Sequence, residues 1–148
     1  MNNIFSIISI LVIFVIVYFS GQYLYKFEDA AEQVVYIDSP ECSPAISSCS
    51  AVFDGGEIVV RFLQQPSALT PFDVEVLTKN FDAAKISVTF VMNNMDMGVN
   101  AFNLERQSNN IWRVKAILPV CSLARNDWIV ELRVKYKNRI LRVDYAFE

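Results

Sequence analysis

Three methionines lie within six consecutive positions, where an alternating apolar run gives way to a loop of Asn, Asp and Gly. They are Met92, Met95 and Met97, and the chain has one other methionine, the initiator. Thioether sulfurs are soft ligands that suit Cu(I). Methionine also fills gaps in protein cores, and Met92 continues the inward-facing positions of the run, which favours a core position for it. Met95 and Met97 follow in polar surroundings, where contact with a metal or a partner protein competes with gap-filling.

The three cysteines add further sulfur. Cys42 and Cys49 are close enough in sequence to close a small loop, and we predict that they form a disulfide, which persists outside the cytosol. Cys121, in the run Leu-Pro-Val-Cys, is then left over. It is a small buried hydrophobe, a partner for one of the other two cysteines, or a soft metal ligand. As a ligand it would complete a Cu(I) set of Met92, Met95, Met97 and Cys121.

The chain contains no histidine, which excludes several kinds of site. Blue-copper centres, the carboxylate and histidine iron sites and histidine-based zinc sites all require imidazole. A nucleophilic serine or cysteine would lack its usual base, and the four glycines form no phosphate-binding loop. We therefore predict no enzymatic activity and no small-molecule substrate.

The charges are unevenly distributed. The whole chain has a net charge of −3, so a nucleic-acid partner is not expected. From Arg106 onward, however, nine basic residues stand against four acidic ones. A surface formed by these basic residues either is exposed only to solvent, or contacts anionic lipid or an acidic partner.

The N-terminal residues predict a membrane anchor. Residues 4–25 are predominantly apolar and reach the ~20 residues that cross a bilayer, and we assign residues 1–25 to a transmembrane segment. A cleaved signal peptide is the alternative, but it needs a basic leader and small residues at the cut, whereas the leader is Met-Asn-Asn and Tyr18 lies near the best cut. Together with the predicted disulfide, this favours a single-pass protein of the bacterial inner membrane, with a cytoplasmic N-terminus and a periplasmic domain.

We assign residues 26–49, which are acidic and contain serines, Pro40 and Pro44, to a linker. We assign residues 50–148 to the periplasmic domain. Beyond the linker the apolar period is two almost everywhere, with turns at short intervals. This pattern predicts an all-β fold, an antiparallel sandwich of immunoglobulin-like or cupredoxin-like type. The predicted core is aromatic: Phe62, Phe72, Phe90, Trp112, Trp128 and Tyr145. The predicted strand segments are 50–53, 57–63, 72–76, 85–92, 102–104, 112–118, 128–136 and 141–147.

If successive strands alternate in direction, every second connection lies at the same end of the sandwich. Loops 64–71, 93–100 and 118–127 then share one end, together with Cys42 and Cys49. The linker is expected to join the domain at this end too. The internal methionines and all three cysteines would therefore converge on one rim.

The anchor, the strand that ends in Met-Asp-Met-Gly98, and the later Trp112, Leu118-Pro-Val-Cys121 and Asp127-Trp128 resemble the FixH/YtkA-like group of membrane-anchored periplasmic proteins. That resemblance implies copper handling and the assembly or stabilisation of haem–copper oxidases. Related domains often carry a histidine beside the methionine motif, where this chain has Val99 and Asn100. The departure leaves Cu(I), or no metal, rather than Cu(II).

Two hypotheses follow. In the first, the domain is an accessory or assembly factor that binds or delivers Cu(I) to a membrane enzyme of the haem–copper oxidase type. In the second, it is a metal-free accessory subunit of a membrane protein complex, and the methionine loop is a protein contact.

Overall fold

The computed structural model describes residues 33–39, 41–95, 98, 100–120 and 125–148, with three isolated positions, 13, 15 and 18. The chain divides into two compact units, residues 1–32 and residues 33–148. The predicted anchor falls, apart from the three isolated positions, outside the described residues. Within what is described, no helix has the length and apolar character that a bilayer crossing requires.

The second unit is all-β in its described part, where ten strands form two sheets and no helix occurs. Sheet I has the order β1-β10-β9-β5-β6, and sheet II has the order β2-β3-β4-β8-β7. All neighbours pair antiparallel except β1 and β10, which are parallel. The strands are β1 (Gln33–Tyr36), β2 (Cys49–Phe53), β3 (Gly56–Phe62), β4 (Phe72–Lys79), β5 (Lys85–Met92), β6 (Ala101–Asn103), β7 (Glu105–Arg106), β8 (Ile111–Ala116), β9 (Trp128–Tyr136) and β10 (Arg139–Phe147).

Alternating side chains bury one face of each sheet, as the sequence predicts. In β9 the buried positions alternate with outward ones along most of the strand, because successive side chains of a strand point to opposite faces. The two inner faces meet through aromatic rings: Phe62 of sheet II lies 5.0 Å from Phe147 and 6.2 Å from Phe90 of sheet I, centroid to centroid. All six predicted core aromatics are buried, so the arrangement is sandwich-like.

The first hairpin joins the two strands that were expected at 50–53 and 57–63. β2 and β3 are joined at Asp54 and Gly55, and Phe53 pairs with Gly56. Gly55 has φ of 132°, which an L side chain rarely adopts. A Cβ on Gly56 would lie 2.5 Å from the backbone oxygen of Lys79, so the close approach of β3 and β4 also requires glycine there.

The predicted sharing of loop ends holds wherever the loops are described. The N–H of Leu69 donates to the carbonyl of Leu118 at 2.9 Å, and the N–H of Phe62 donates to the carbonyl of Pro44 at 2.9 Å. We call this end the disulfide end; its described residues are 41–48, 63–71, 93–95, 98, 100, 117–120 and 125–127. The opposite end, with the turns at 54–55, 107–110 and 137–138, is the hairpin end.

Strand β1 differs from the sequence analysis, which assigned residues 33–36 to the linker. Gln33 pairs with Arg139 and Tyr36 with Arg142, so β1 runs parallel to β10 from the hairpin end towards the disulfide end. Residues 33–48 therefore start at the hairpin end with β1 and reach the rim of the cysteines, where they lead into β2 as expected, only at residues 41–48. A short edge strand that pairs in parallel has no local turn signal, so the alternating pattern from residue 50 onward does not predict it.

The short run at 102–104 was predicted as one strand, but it connects the two sheets. β6 pairs with β5 in sheet I, and β7 pairs with β8 in sheet II. Leu104 lies between them, is buried, and donates its N–H to the carbonyl of Ile86 at 2.9 Å. Burial of Leu104 fixes the crossing point.

Candidate functional site

Met92, the first residue of the proposed sulfur cluster, lies in the core. It ends β5 opposite Trp128 of β9, and its side chain is only 4% exposed. The Met92 side chain faces inward, as its position in the alternating run predicts, and it packs in the core. A thioether at this depth reaches a metal only if the core opens.

Met95 follows a tight turn that begins at Met92. Its N–H donates to the carbonyl of Met92 at 3.4 Å, and Asn94 between them has φ of 57°. Asparagine tolerates this left-handed conformation better than most residues. The Met95 side chain is partly buried and packs against the core, which leaves part of it at the surface of the disulfide end.

Met97 and Cys121 lie outside the described residues, but the segments beside them are described. Arg125 Nη1 donates to the carbonyl of Asn93 at 3.2 Å. Arg125 also binds both carboxylate oxygens of Asp127, with Nε 2.8 Å from Oδ1. The Arg125 hydrogen bond lowers the pKa of Asp127, against a smaller desolvation effect. The flanks of the methionine loop and of the Cys121 loop are therefore joined.

The predicted disulfide between Cys42 and Cys49 is present, with 5.7 Å between the Cα atoms. Cys49 is buried at the start of β2, whereas Cys42 is partly exposed. The bond closes the loop that contains Pro44, and the hydrogen bond from Phe62 attaches this loop to β3. The two cysteines thus fasten the disulfide end and, while oxidised, are not thiolate ligands.

Sequence reasoning missed a group of exposed apolar side chains at the disulfide end. Ile46 is 86% exposed, Leu69 65% and Val120 59%. Leu63 and Ile117 are exposed as well, at 38% each. We call these five residues the apolar rim. One sequence feature could have indicated this surface: Ile46, Leu69 and Val120 are aliphatic residues in loops, outside the alternating pattern of the strands.

Leu69 is held in an unusual conformation. Its φ is 59°, in the left-handed region that a branched, non-glycine residue rarely occupies. Two hydrogen bonds keep the turn in place. The N–H of Leu69 donates to the carbonyl of Leu118, and the N–H of Thr70 donates to the carbonyl of Ser67 at 3.2 Å. Strained residues of this kind concentrate at binding sites, and this one displays an apolar side chain to solvent.

Ionisable groups do not form a metal site in the described part of the chain. No three Cys, Asp or Glu side chains converge there. The most buried carboxylate, Glu75, is held by Arg61 and Arg113 across sheet II, with Nε to Oε distances of 2.7 Å each. Burial raises the pKa of Glu75, but the hydrogen bonds and charges of the two arginines outweigh it, so the pKa is lowered.

No protein-family model matches the sequence, and no curated protein or solved structure is significantly similar to it. In the described part of residues 33–148, fold and site together define an all-β unit of two sheets, with one end fastened by a disulfide and lined by exposed aliphatic side chains.

Proposed function

We propose that this protein is a membrane-anchored accessory or assembly factor that docks its apolar rim on a membrane protein complex. In this proposal residues 4–25 cross the bacterial inner membrane once, and the domain lies in the periplasm as an immunoglobulin-like or cupredoxin-like sandwich. The resemblance to the FixH/YtkA-like group supports a haem–copper oxidase as the complex. The protein has no catalytic role in this proposal.

The observation that carries the proposal is the exposure of Ile46, Leu69 and Val120 at the disulfide end. Exposed aliphatic side chains that share one end of a domain mark a contact surface. The disulfide closes the loop that contains Ile46, and the bond from Leu69 to Leu118 holds Leu69, so docking of these two side chains would cost little conformational entropy. A tether in the same membrane as the complex would raise the local concentration of the rim.

Co-purification of the full chain tests this proposal. The rim variant is Ile46→Ser with Val120→Ser, and the matched control is Val34→Ser with Val52→Ser, which removes two exposed valines of the strands. We expect the wild type and the control to carry a haem-containing complex, measured by its absorption spectrum, and the rim variant to carry several-fold less. Equal haem recovery with the rim variant, or none with the wild type, contradicts the proposal.

A second candidate function, binding of Cu(I), is supported by the bond between Arg125 and Asn93. That bond joins the flanks of the loops that contain Met95, Met97 and Cys121, and thioether and thiolate donors suit Cu(I). Because Met92 is buried, the ligand set in this candidate is Met95, Met97 and Cys121.

Cu(I) titration of the full chain tests the second candidate. A Cys42→Ala, Cys49→Ala background prevents the reductant from releasing competing thiols. We expect Met95→Leu with Met97→Leu to abolish binding, while Met92→Leu leaves it unchanged. Binding that survives the loss of both loop methionines would exclude this site.

A further inference from the structure

A groove crosses the outer face of sheet I at the disulfide end. Its floor is the cross-strand pair of Ile129 and Ala146, which lies outside the core. Two hollows, of about 580 Å³ and about 410 Å³, share this floor and Ser43 of the disulfide loop. The smaller hollow is also lined by Ile46 of the apolar rim, so the groove opens towards the rim.

The walls of the groove are acidic. Glu41 and Asp144 line the larger hollow, and Asp127 and Glu148 line the smaller one, whereas no Lys or Arg is among the described residues that line either. Asp127 and Asp144 are paired with arginines that stand outside the groove. Glu41 and Glu148 are exposed and form no ion pair with described residues. Their charges therefore act on whatever enters the groove.

We infer that the groove binds a segment of a partner protein in which apolar and basic side chains alternate. In an extended segment, successive side chains point to opposite sides, so apolar side chains would contact Ile129 and Ala146 while lysines or arginines face the carboxylates. Anionic lipid and nucleic acid are disfavoured because the walls carry the same charge. This inference deepens the proposed docking function and rests on it.

Binding of a synthetic peptide to the full chain in a neutral detergent tests the inference. The probe is a peptide of alternating leucine and lysine, and its counterpart has glutamate in place of lysine. We expect the lysine peptide to bind at least about tenfold more tightly than the glutamate peptide, a difference of ~1.4 kcal/mol. Added salt should weaken the binding of the lysine peptide, because the attraction is between exposed charges.

Two pairs of variants locate the binding. Glu41→Lys with Glu148→Lys should weaken the binding of the lysine peptide about tenfold. Asp54→Lys with Glu105→Lys makes the same charge change at exposed acidic residues elsewhere and should leave the affinity unchanged. Ala146→Trp should block the groove, whereas Ala101→Trp, at another exposed position of sheet I, should leave binding intact.

Several results would overturn the inference. They are no binding of the lysine peptide, equal effects of the two charge variants, or self-association of the wild type that Ala146→Trp removes, which would assign the groove to a second copy. The assay contains no membrane complex, so it fails or succeeds independently of the co-purification. Loss of haem recovery in the rim variant with no peptide binding would leave the proposed function standing and remove only this inference.

Discussion

Arg125 joins two loops that are distant in sequence, by donating Nη1–H to the carbonyl oxygen of Asn93 at 3.2 Å across 32 residues. The guanidinium is oriented by its two bonds to Asp127, just before β9 begins. Because Asn93 lies in the turn that leads from Met92 to Met95, this contact fixes where the methionine loop leaves β5. One side chain thus couples the loop that precedes β9 to the loop that follows β5.

Loss of this contact should loosen the turn at Met95. Arg125→Ala removes the bond to Asn93 and the pair with Asp127, and we expect the global stability to change little, because both partners are exposed enough for water to screen the pair. Hydrogen exchange at the Met95 amide, measured by NMR, should accelerate by about two- to fivefold. Arg139→Ala, at the hairpin end, serves as the control. Unchanged exchange at Met95 in the Arg125 variant would show that the turn holds without the arginine.

Glu75 should make stability depend on acidity. Its folded-state pKa lies below the ordinary value of 4.5, so its contribution is complete above about that pH and is lost as the pH falls through the lowered pKa. We expect Glu75→Gln to lose about 1–2 kcal/mol at neutral pH, less than for a fully buried pair because Arg61 and Arg113 are half-exposed. Urea unfolding between pH 2 and pH 7 measures both effects.

The control for this experiment is Glu57→Gln. Its pair with Lys79, at 3.1 Å, is more exposed than the Glu75 cluster, and its removal should cost about 0.5 kcal/mol or less. If the stability of Glu75→Gln falls with acid as steeply as that of the wild type, the carboxylate of Glu75 is not the group responsible.

Thr78 should be replaceable by valine with a gain in stability. Its side chain is fully buried on β4, and the hydroxyl has no hydrogen-bond partner among the described residues. Thr78→Val removes this desolvated group while nearly preserving the shape, so we expect a gain of about 1 kcal/mol in thermal or urea unfolding. Thr89→Val, on the outer face of β5, should change stability by less than about 0.5 kcal/mol. A loss at Thr78 would mean that its hydroxyl has a partner in solution.

Ionisation of Tyr145 should lower the stability of the protein at alkaline pH. Burial raises its pKa from 10.0 to about 12, so the folded state keeps the phenol proton longer than the unfolded state. The stability that this provides is complete below about pH 10 and declines as the pH rises towards 12. We expect Tyr145→Phe to unfold with a shallower loss of stability over this range, measured by circular dichroism. A slope identical to that of the wild type would contradict the assignment.

Reduction of the disulfide should destabilise the domain by about 2–3 kcal/mol, the loop-entropy estimate for so short a loop. Cys42→Ala with Cys49→Ala should show the same loss without reductant and no further loss with it. Cys121→Ser should respond to reductant like the wild type. A different response of Cys121→Ser would mean that Cys121 exchanges with the pair in solution.

Much of the fold followed from local pattern. Burial on one side of a strand imposes a period of two, which located the main strands, the inward aromatics such as Phe62 and Phe90, and the turns at 54–55 and 137–138. Short sequence separation predicted the disulfide of Cys42 and Cys49. Alternation of strand direction predicted that the loops around Asn93 and Leu118 share an end. These features depend on neighbours in sequence or on a simple count.

Only the tertiary structure decided features that depend on distant partners. The parallel pairing of β1 with β10, the crossing between sheets at Leu104, the pairing of Met92 with Trp128 and the groove over Ile129 and Ala146 each need two segments to meet. Leu69 shows the same limit, because its strained backbone is held by distant Leu118 as well as by the local bond between Thr70 and Ser67. The sequence by itself determined which faces are apolar, while packing between segments decided which apolar groups remain at the surface.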